Sequence, residues 1–118
     1  MGILALALSM ASWIHVPGGT WQPTAHVAEL RDGLEPFVMR AAAEQRKRLP
    51  AWSSYTFQYQ GRTEQDAKTI FINAFCSPAP RDVKTQFVLV LDGGACYFRV
   101  KYDPARKAFF DLEFNGDG

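Results

Sequence analysis

The side chains that could do chemistry in this chain are few, and their spacing limits what they can do. The sequence has two histidines, His15 and His26, and two cysteines, Cys76 and Cys96. Neither histidine lies at a metal-ligand spacing from a cysteine or a carboxylate. A cysteine nucleophile would need His26 beside it as a base, and the strand positions described below keep the two apart. The pattern therefore predicts no metal, no cofactor and no catalytic residue.

A carboxylate pair and one arginine are the other residues with chemical potential. Asp111 and Glu113 stand two residues apart in a strand pattern, where they would share one face and could do acid–base work. Arg99 is predicted to lie opposite Asp111 on the neighbouring strand, and a cross-strand ion pair is the structural interpretation. Gly93-Gly94 joins two strand patterns with no helix after it, so it lacks the context of a phosphate-binding loop.

Composition and charge exclude several functional classes. The 118 residues include 13 basic and 12 acidic side chains, and a net charge of +1 gives no bulk attraction to nucleic acid or an anionic membrane. No apolar run reaches ~18 residues, so no integral membrane span is predicted. An apolar content of 47% predicts a packed globule. The pattern along the chain divides it into an apolar and irregular segment at residues 1–22 and a single α+β domain at residues 23–118.

The first residues have the character of an export signal. Ile3 to Ala11 is apolar, and Ser9 and Ala11 are small enough for a cleavage site. Since no Lys or Arg precedes this stretch, a leader remnant or a segment packed on the domain is the alternative. The sequence favours a secreted or periplasmic protein, with a cytoplasmic protein as the alternative.

The elements that must position these side chains begin with an N-terminal helix. Apolar residues recur at the three- and four-residue spacing of a helix stripe: Val27, Leu30, Leu34, Phe37 and Ala41. Thr24 is the expected N-cap, and Pro50 is expected to stop the helix. Gly33 and Pro36 lie inside the pattern, so a kink or a break is predicted there.

Strand patterns joined by turn signals follow the helix. They cover Tyr55–Gln60, Lys68–Cys76, Thr85–Asp92, Ala95–Tyr102 and Ala108–Phe114. Gly93-Gly94 has the positive-φ preference of a two-residue hairpin turn between the third and fourth patterns. The sequence therefore predicts a four- to five-stranded antiparallel meander packed against the helix.

The predicted register, in which Val100 meets Phe110 and Arg99 meets Asp111, assigns these residues to two faces. Residues expected to face the helix are Phe87, Leu89, Leu91, Phe98, Val100, Phe110, Leu112 and Phe114. Residues expected on the outer face, as a candidate binding surface, are Val88, Val90, Tyr97, Arg99, Lys101, Phe109 and Asp111. Apolar side chains on a wet face predict a protein partner or a homodimer, unless loops or the N-terminal segment cover them.

The meander also predicts that the cysteines stay reduced. Cys76 ends the second strand pattern and Cys96 begins the fourth, and these two strands run in the same direction. A strand of ~7 residues separates their ends by ~23 Å, whereas a disulfide needs Cα atoms within ~7 Å. No disulfide is therefore expected.

One helix followed by an antiparallel meander resembles the cystatin-like fold, over about residues 17–114. The resemblance implies a common end at which an N-terminal segment and two hairpins form a wedge, here the candidate glycines Gly18, Gly19, Gly61, Gly93 and Gly94. The inhibitor motif Gln-x-Val-x-Gly corresponds at best to the residues Phe57 to Gly61 (FQYQG), and no Pro-Trp occupies the later hairpin. The chain looks more like small exported bacterial proteins of unassigned function that use this architecture.

Three functions follow as hypotheses. The first is a non-catalytic binding module that uses the outer sheet face or the glycine-rich end. The second is a cystatin-like protease-inhibitor wedge. The third is a small enzyme with a pocket between the helix and the sheet.

Overall fold

The computed structural model describes residues 12–117 and arranges them as one α-helix and one five-stranded sheet. The elements are β1 (Ser12–His15), α1 (Val27–Glu44), β2 (Thr56–Glu64), β3 (Ala67–Phe75), β4 (Tyr97–Asp103) and β5 (Ala108–Phe114). Short 3-10 turns occupy Thr24–His26, Trp52–Ser54 and Gly94–Cys96. The predicted export signal in residues 1–11 lies outside the described residues.

The sheet confirms the α+β class but is mixed. Its strands lie in chain order, and β2 to β5 form an antiparallel meander of four strands. β1 pairs in parallel with β2, with Trp13 beside Phe57, so the prediction of a wholly antiparallel sheet is wrong. The helix follows a strand that the sequence pattern did not reveal. Such a strand is too short for a period-two pattern to be recognised.

α1 packs on one face of the sheet through a stripe with four-residue spacing. Its buried residues are Leu30, Leu34, Val38 and Ala42. The helix continues through Gly33 and Pro36, so the predicted break is absent. A Cβ added to Gly33 would stand 2.8 Å from the ring of Phe109, which explains why glycine is needed where the helix approaches β5. Arg46, with a φ of 55°, ends the helix, and the Lys47 N–H donates to the Ala42 carbonyl at 2.8 Å.

The layer between α1 and the sheet is the main core. The sheet contributes the inward residues Phe57, Tyr59, Ile70, Ile72, Ala74, Phe98, Val100 and Tyr102. Each large apolar side chain fully buried here contributes about 1.5–3 kcal/mol. Phe98 and Val100 were predicted to face this core, and both are fully buried.

The turn between β2 and β3 lies further along the chain than predicted. The strand continues through Gly61 to Glu64, and Gln65-Asp66 forms the two-residue turn with φ values of 50° and 66°. Positive φ at both positions is the type I′ geometry that suits the twist of a hairpin. The prediction that this strand ends at Gln60 is therefore wrong.

The predicted Gly93-Gly94 hairpin is also wrong. β4 pairs directly with β3, with Phe75 opposite Tyr97, and residues 85–92 are not a strand of the sheet. Residues 77–95, which we name the strap, instead connect the two strands. Because the end of β3 and the beginning of β4 are neighbours, Cys76 and Cys96 form a disulfide with Cα atoms 5.0 Å apart. The prediction of free thiols failed because it inserted a strand between these two.

A β-bulge changes the register of β5. Lys101 pairs with Phe110, but Arg99 pairs with Glu113, so β5 has one extra residue between these points. The predicted Arg99–Asp111 pair is therefore wrong. Phe109 contacts Phe37 of the helix at a ring-centroid distance of 5.5 Å. It faces the core, whereas the sequence pattern had placed it on the outer face.

Candidate functional site

The outer face of the sheet, opposite α1, holds the strap through buried amide side chains. Gln58 of β2 is fully buried. Its Nε2 donates to the carbonyls of Val83 at 2.8 Å and Gln86 at 2.6 Å. Its Oε1 accepts from the N–H of Val88 at 2.9 Å and from Nδ2 of Asn73 at 3.0 Å. One side chain thus binds three points of the strap backbone.

Two asparagines continue this contact along the strap. Asn73 of β3 donates to the Val88 carbonyl at 2.8 Å. Asn115, just after β5, donates to the carbonyls of Val90 at 2.6 Å and Asp92 at 3.0 Å. Backbone groups of alternate residues therefore face the sheet, which is the geometry of an extended chain. Val88 and Val90 were predicted as part of an open surface, but they belong to a segment that covers the sheet.

Beside the strap, the outer face opens into a groove of about 400 Å³. We name it the charged groove; its lining residues are Phe71, Arg99, Val100, Lys101, Asp111, Leu112 and Glu113. Phe71 also packs edge-to-face on Phe87 of the strap at a centroid distance of 5.2 Å. The groove therefore begins where the strap contact ends.

Ion pairs organise the charged groove. Lys101 Nζ lies 2.8 Å from Oε1 of Glu64 and 3.7 Å from Oδ2 of Asp111. The hydrogen bond from Lys101 holds the pKa of Glu64 below its ordinary value, and the same bond raises the pKa of Lys101. Arg99 bonds Glu113 at 2.9 Å and Asn115 at 2.8 Å. Arg99 therefore links the groove to the amides that hold the strap.

Aromatic and backbone features shape the same site. The Arg62 guanidinium lies 4.0 Å from the centre of the Phe71 ring, a cation–π distance. Burial lowers the pKa of Arg62. Asp111, the bulged residue, has a φ of 53°, a left-handed conformation that aspartate tolerates. At the bulge, the Asp111 carboxylate stands on the same face as Lys101, 3.7 Å from its Nζ.

A second group of polar residues lies at the start of α1, and the sequence interpretation missed it. His26 Nδ1 lies 3.0 Å from Oε1 of Glu29, and the Tyr102 hydroxyl donates to Oε2 of Glu29 at 2.6 Å. Burial, and then the bond to Glu29, raise the pKa of Tyr102 to about 12. The bond from Tyr102, and then that from His26, lower the pKa of Glu29. The i, i+3 spacing of His26 and Glu29 was the available signal.

This group borders a shallow depression of about 600 Å³. Its lining residues are Trp21, His26, Ala67, Lys68, Asp103, Pro104, Ala105 and Arg106. Asp103 accepts from the N–H groups of Ala105 and Arg106 and so fixes the β4–β5 turn. Within residues 12–117, no three His, Cys, Asp or Glu side chains are grouped as metal ligands would be.

The predicted outer-face residues separate into three environments. Arg99, Lys101 and Asp111 meet in the charged groove. Tyr97 lies at the start of β4 against the strap, where a Cβ on Gly93 would stand 2.5 Å from its ring. Phe109 lies on the helix side. The bulge and the strap together explain why residues predicted to share one face lie in three separate environments.

The predicted glycine-rich end is not one site. Gly18, Gly19 and Gly61 lie together, and the Thr20 N–H donates to the Gly61 carbonyl at 2.9 Å. Gly93 and Gly94 precede the start of β4, where Tyr97 is in line with Thr56, whereas Gly61 is five residues further along β2. At ~3.3 Å per residue the two groups stand ~16 Å apart along the strands. The common end that the resemblance implied is therefore wrong.

Comparison of the chain with protein-family models, with curated proteins and with solved structures found no match. The described residues contain no helix with the length and apolar character needed to cross a bilayer.

Proposed function

We propose that the protein is a non-catalytic binding module and that the charged groove is its binding site. The observation that carries the proposal is the β-bulge at Asp111, which brings a second carboxylate to Lys101 on an otherwise paired strand. Bulges are frequent beside sites because they redirect side chains. Asp111 also has a backbone conformation that residues other than glycine rarely adopt, which supports the same interpretation.

The chemistry of the groove favours a polypeptide segment with charges of both signs. Arg99 and Lys101 offer cations, and Glu64, Asp111 and Glu113 offer carboxylates, around the apolar ring of Phe71. These pairs are partly exposed, so each contributes little to folding and can exchange its partner at small cost. A protein ligand that supplies matching charges would gain specificity from them.

The packing supports a binding surface in preference to an enzyme pocket between helix and sheet. Leu34, Val38 and Phe98 occupy that layer with no exposed surface. A protease-inhibitor wedge has no comparable support, because the two groups of glycines stand ~16 Å apart along the strands.

The disulfide supports an oxidising compartment, which is where such bonds persist. We therefore infer a secreted or periplasmic location. A relationship to the cystatin-like fold is supported by one helix packed across a sheet whose strands lie in chain order. The parallel pairing of β1 departs from that resemblance.

The test uses two double variants with the same change of charge. Arg99→Glu with Lys101→Glu alters the groove, and Arg31→Glu with Arg40→Glu alters exposed positions on α1. Proteins captured from native cell extract by the wild type are identified by mass spectrometry, purified and titrated calorimetrically. We expect the groove variant to lose at least about tenfold in affinity and the helix variant to bind normally. Equal affinities for both variants would contradict the proposal.

A further inference from the structure

The strap has a second backbone edge that faces away from the sheet. The N–H of Val88 and the carbonyls of Val88, Val90 and Asp92 bond to the buried amides. In an extended chain, alternate residues direct their backbone groups to opposite edges. Phe87, Leu89 and Leu91 therefore direct theirs outward. Within the described residues, the backbone groups of Leu89 and Leu91 make no hydrogen bond.

The side chains on this edge are unusually exposed for apolar residues. Leu89 is 70% exposed and Leu91 is 99% exposed, and both had been predicted to lie in the core. An exposed extended segment with apolar side chains and available N–H and C=O groups is a template for another strand. Soluble proteins protect such an edge with charges, proline or a covering element, and none of these occupies Phe87 to Leu91 within the described residues.

We propose that residues 87–91 of two copies of this chain pair as antiparallel strands across a two-fold axis. Leu89 would lie opposite Leu89 of the second copy, and Phe87 would lie opposite Leu91. Every cross-strand pair that directs its backbone groups to the partner is then apolar, which favours pairing. An antiparallel edge is complementary to itself, so a second copy satisfies it without any other sequence.

Charge at the two ends of the strap selects the same partner and orientation. Lys84 lies before the apolar stretch and Asp92 after it, and both are exposed. Antiparallel pairing brings the Lys84 end of one strap towards the Asp92 end of the other, whereas parallel pairing would bring like charges together. The disulfide and the amides hold the strap in place, so pairing orders little additional chain.

This inference is independent of the proposed groove function, because it uses the opposite edge of the strap and a different partner. A foreign extended peptide is the competing occupant.

Sedimentation velocity over a concentration series measures the dimerisation of the wild type. Leu89→Pro removes the outward N–H while leaving the bonds to Gln58 and Asn73 in place. Leu89→Lys keeps the N–H but places like charges opposite each other. Met39→Lys, at a position on α1 that is 47% exposed, is the matched control.

We expect a wild-type dimer that Leu89→Pro and Leu89→Lys each weaken at least about tenfold, while Met39→Lys leaves it unchanged. Hydrogen exchange should show that the Leu89 and Leu91 amides become protected as the dimer forms. Near-ultraviolet circular dichroism confirms that each variant is folded, and if Leu89→Pro is not, Leu89→Lys decides. A wild type that is monomeric at ~1 mM would overturn the proposal. Protected amides in a monomer would do so as well, because the chain itself would then cover the edge.

Discussion

The two faces of the sheet are covered in physically different ways. Towards α1, the side chains of Phe57, Ile72 and Phe98 pack against a helix stripe, and attraction there is non-directional. Towards the strap, Gln58 and Asn73 bind a backbone through hydrogen bonds of fixed direction. Many combinations of apolar side chains could fill the layer towards α1. Few polar side chains could reproduce the directed hydrogen bonds to the strap.

This difference predicts how each face responds to mutation. Loss of a core side chain leaves a cavity whose cost increases with its volume. Loss of an amide leaves buried backbone groups without partners, and its cost depends on whether water can reach them. The disulfide joins the two ends of the strap, so its attachment does not depend on these hydrogen bonds alone.

The largest expected effect is on the helix side. Phe98 is fully buried and packs on Tyr55, Phe57 and Phe114. Phe98→Ala should lower the free energy of unfolding by about 3–5 kcal/mol, measured by urea denaturation. A loss below ~1 kcal/mol would show that the two faces do not differ as described.

The disulfide should be next in size. Replacing Cys76 and Cys96 together with alanine removes a cross-link over 20 positions of the sequence, and a loss of about 2–4 kcal/mol is expected. Hydrogen exchange should show the strap amide of Val88 losing protection more than the amides of β2. Uniform loss of protection across the sheet would mean that the disulfide stabilises the whole domain and not the strap alone.

A single amide should have a smaller effect. Gln58→Leu preserves approximate volume but removes the bonds to the strap, so a loss of about 1–3 kcal/mol is expected. Gln22→Leu, at an exposed position, should change stability little. If the two variants unfold at the same urea concentration, the directional character assigned to the strap face is wrong.

The groove ion pair should have a pH-dependent effect below ~1 kcal/mol. Because Lys101 lowers the pKa of Glu64 in the folded state, the stabilisation is present at neutral pH and is lost as pH falls below the ordinary value of 4.5. Lys101→Met should therefore be less stable than the wild type at pH 7, and the difference should shrink as the pH is lowered from 4.5 and Glu64 becomes protonated. A difference that persists in acid would contradict the ion-pair origin.

The smallest expected effect is at the outer edge of the strap. Leu91 is almost fully exposed, so Leu91→Ala should change the unfolding free energy of dilute protein by less than ~0.5 kcal/mol. The sequence pattern had predicted a core residue here, for which the loss would be several times larger. Urea denaturation of Leu91→Ala and Phe98→Ala under the same conditions compares the two losses of unfolding free energy directly.

Sequence patterns placed three charged residues on the correct face of the sheet. Arg99, Lys101 and Asp111 were assigned to the outer face and do meet in the charged groove. Phe109 was misassigned because Phe109 and Phe110 are the same residue type, so a shift of one residue preserved an apolar pattern. The register test based on that pattern could not detect the bulge.

What the sequence determined by itself is local: the helix stripe around Leu30 and Leu34, the strand character of β2 to β5, and the α+β class. Helix and strand periodicities follow from geometry within a few residues. Only the tertiary structure decided the neighbours of each strand. Residues 85–92 have the composition of a strand, yet β4 pairs with β3, and the displaced segment is bound by Gln58, Asn73 and Asn115 instead. The disulfide and the groove follow from that choice of neighbours, since pairing energy depends on contacts between residues far apart in the chain.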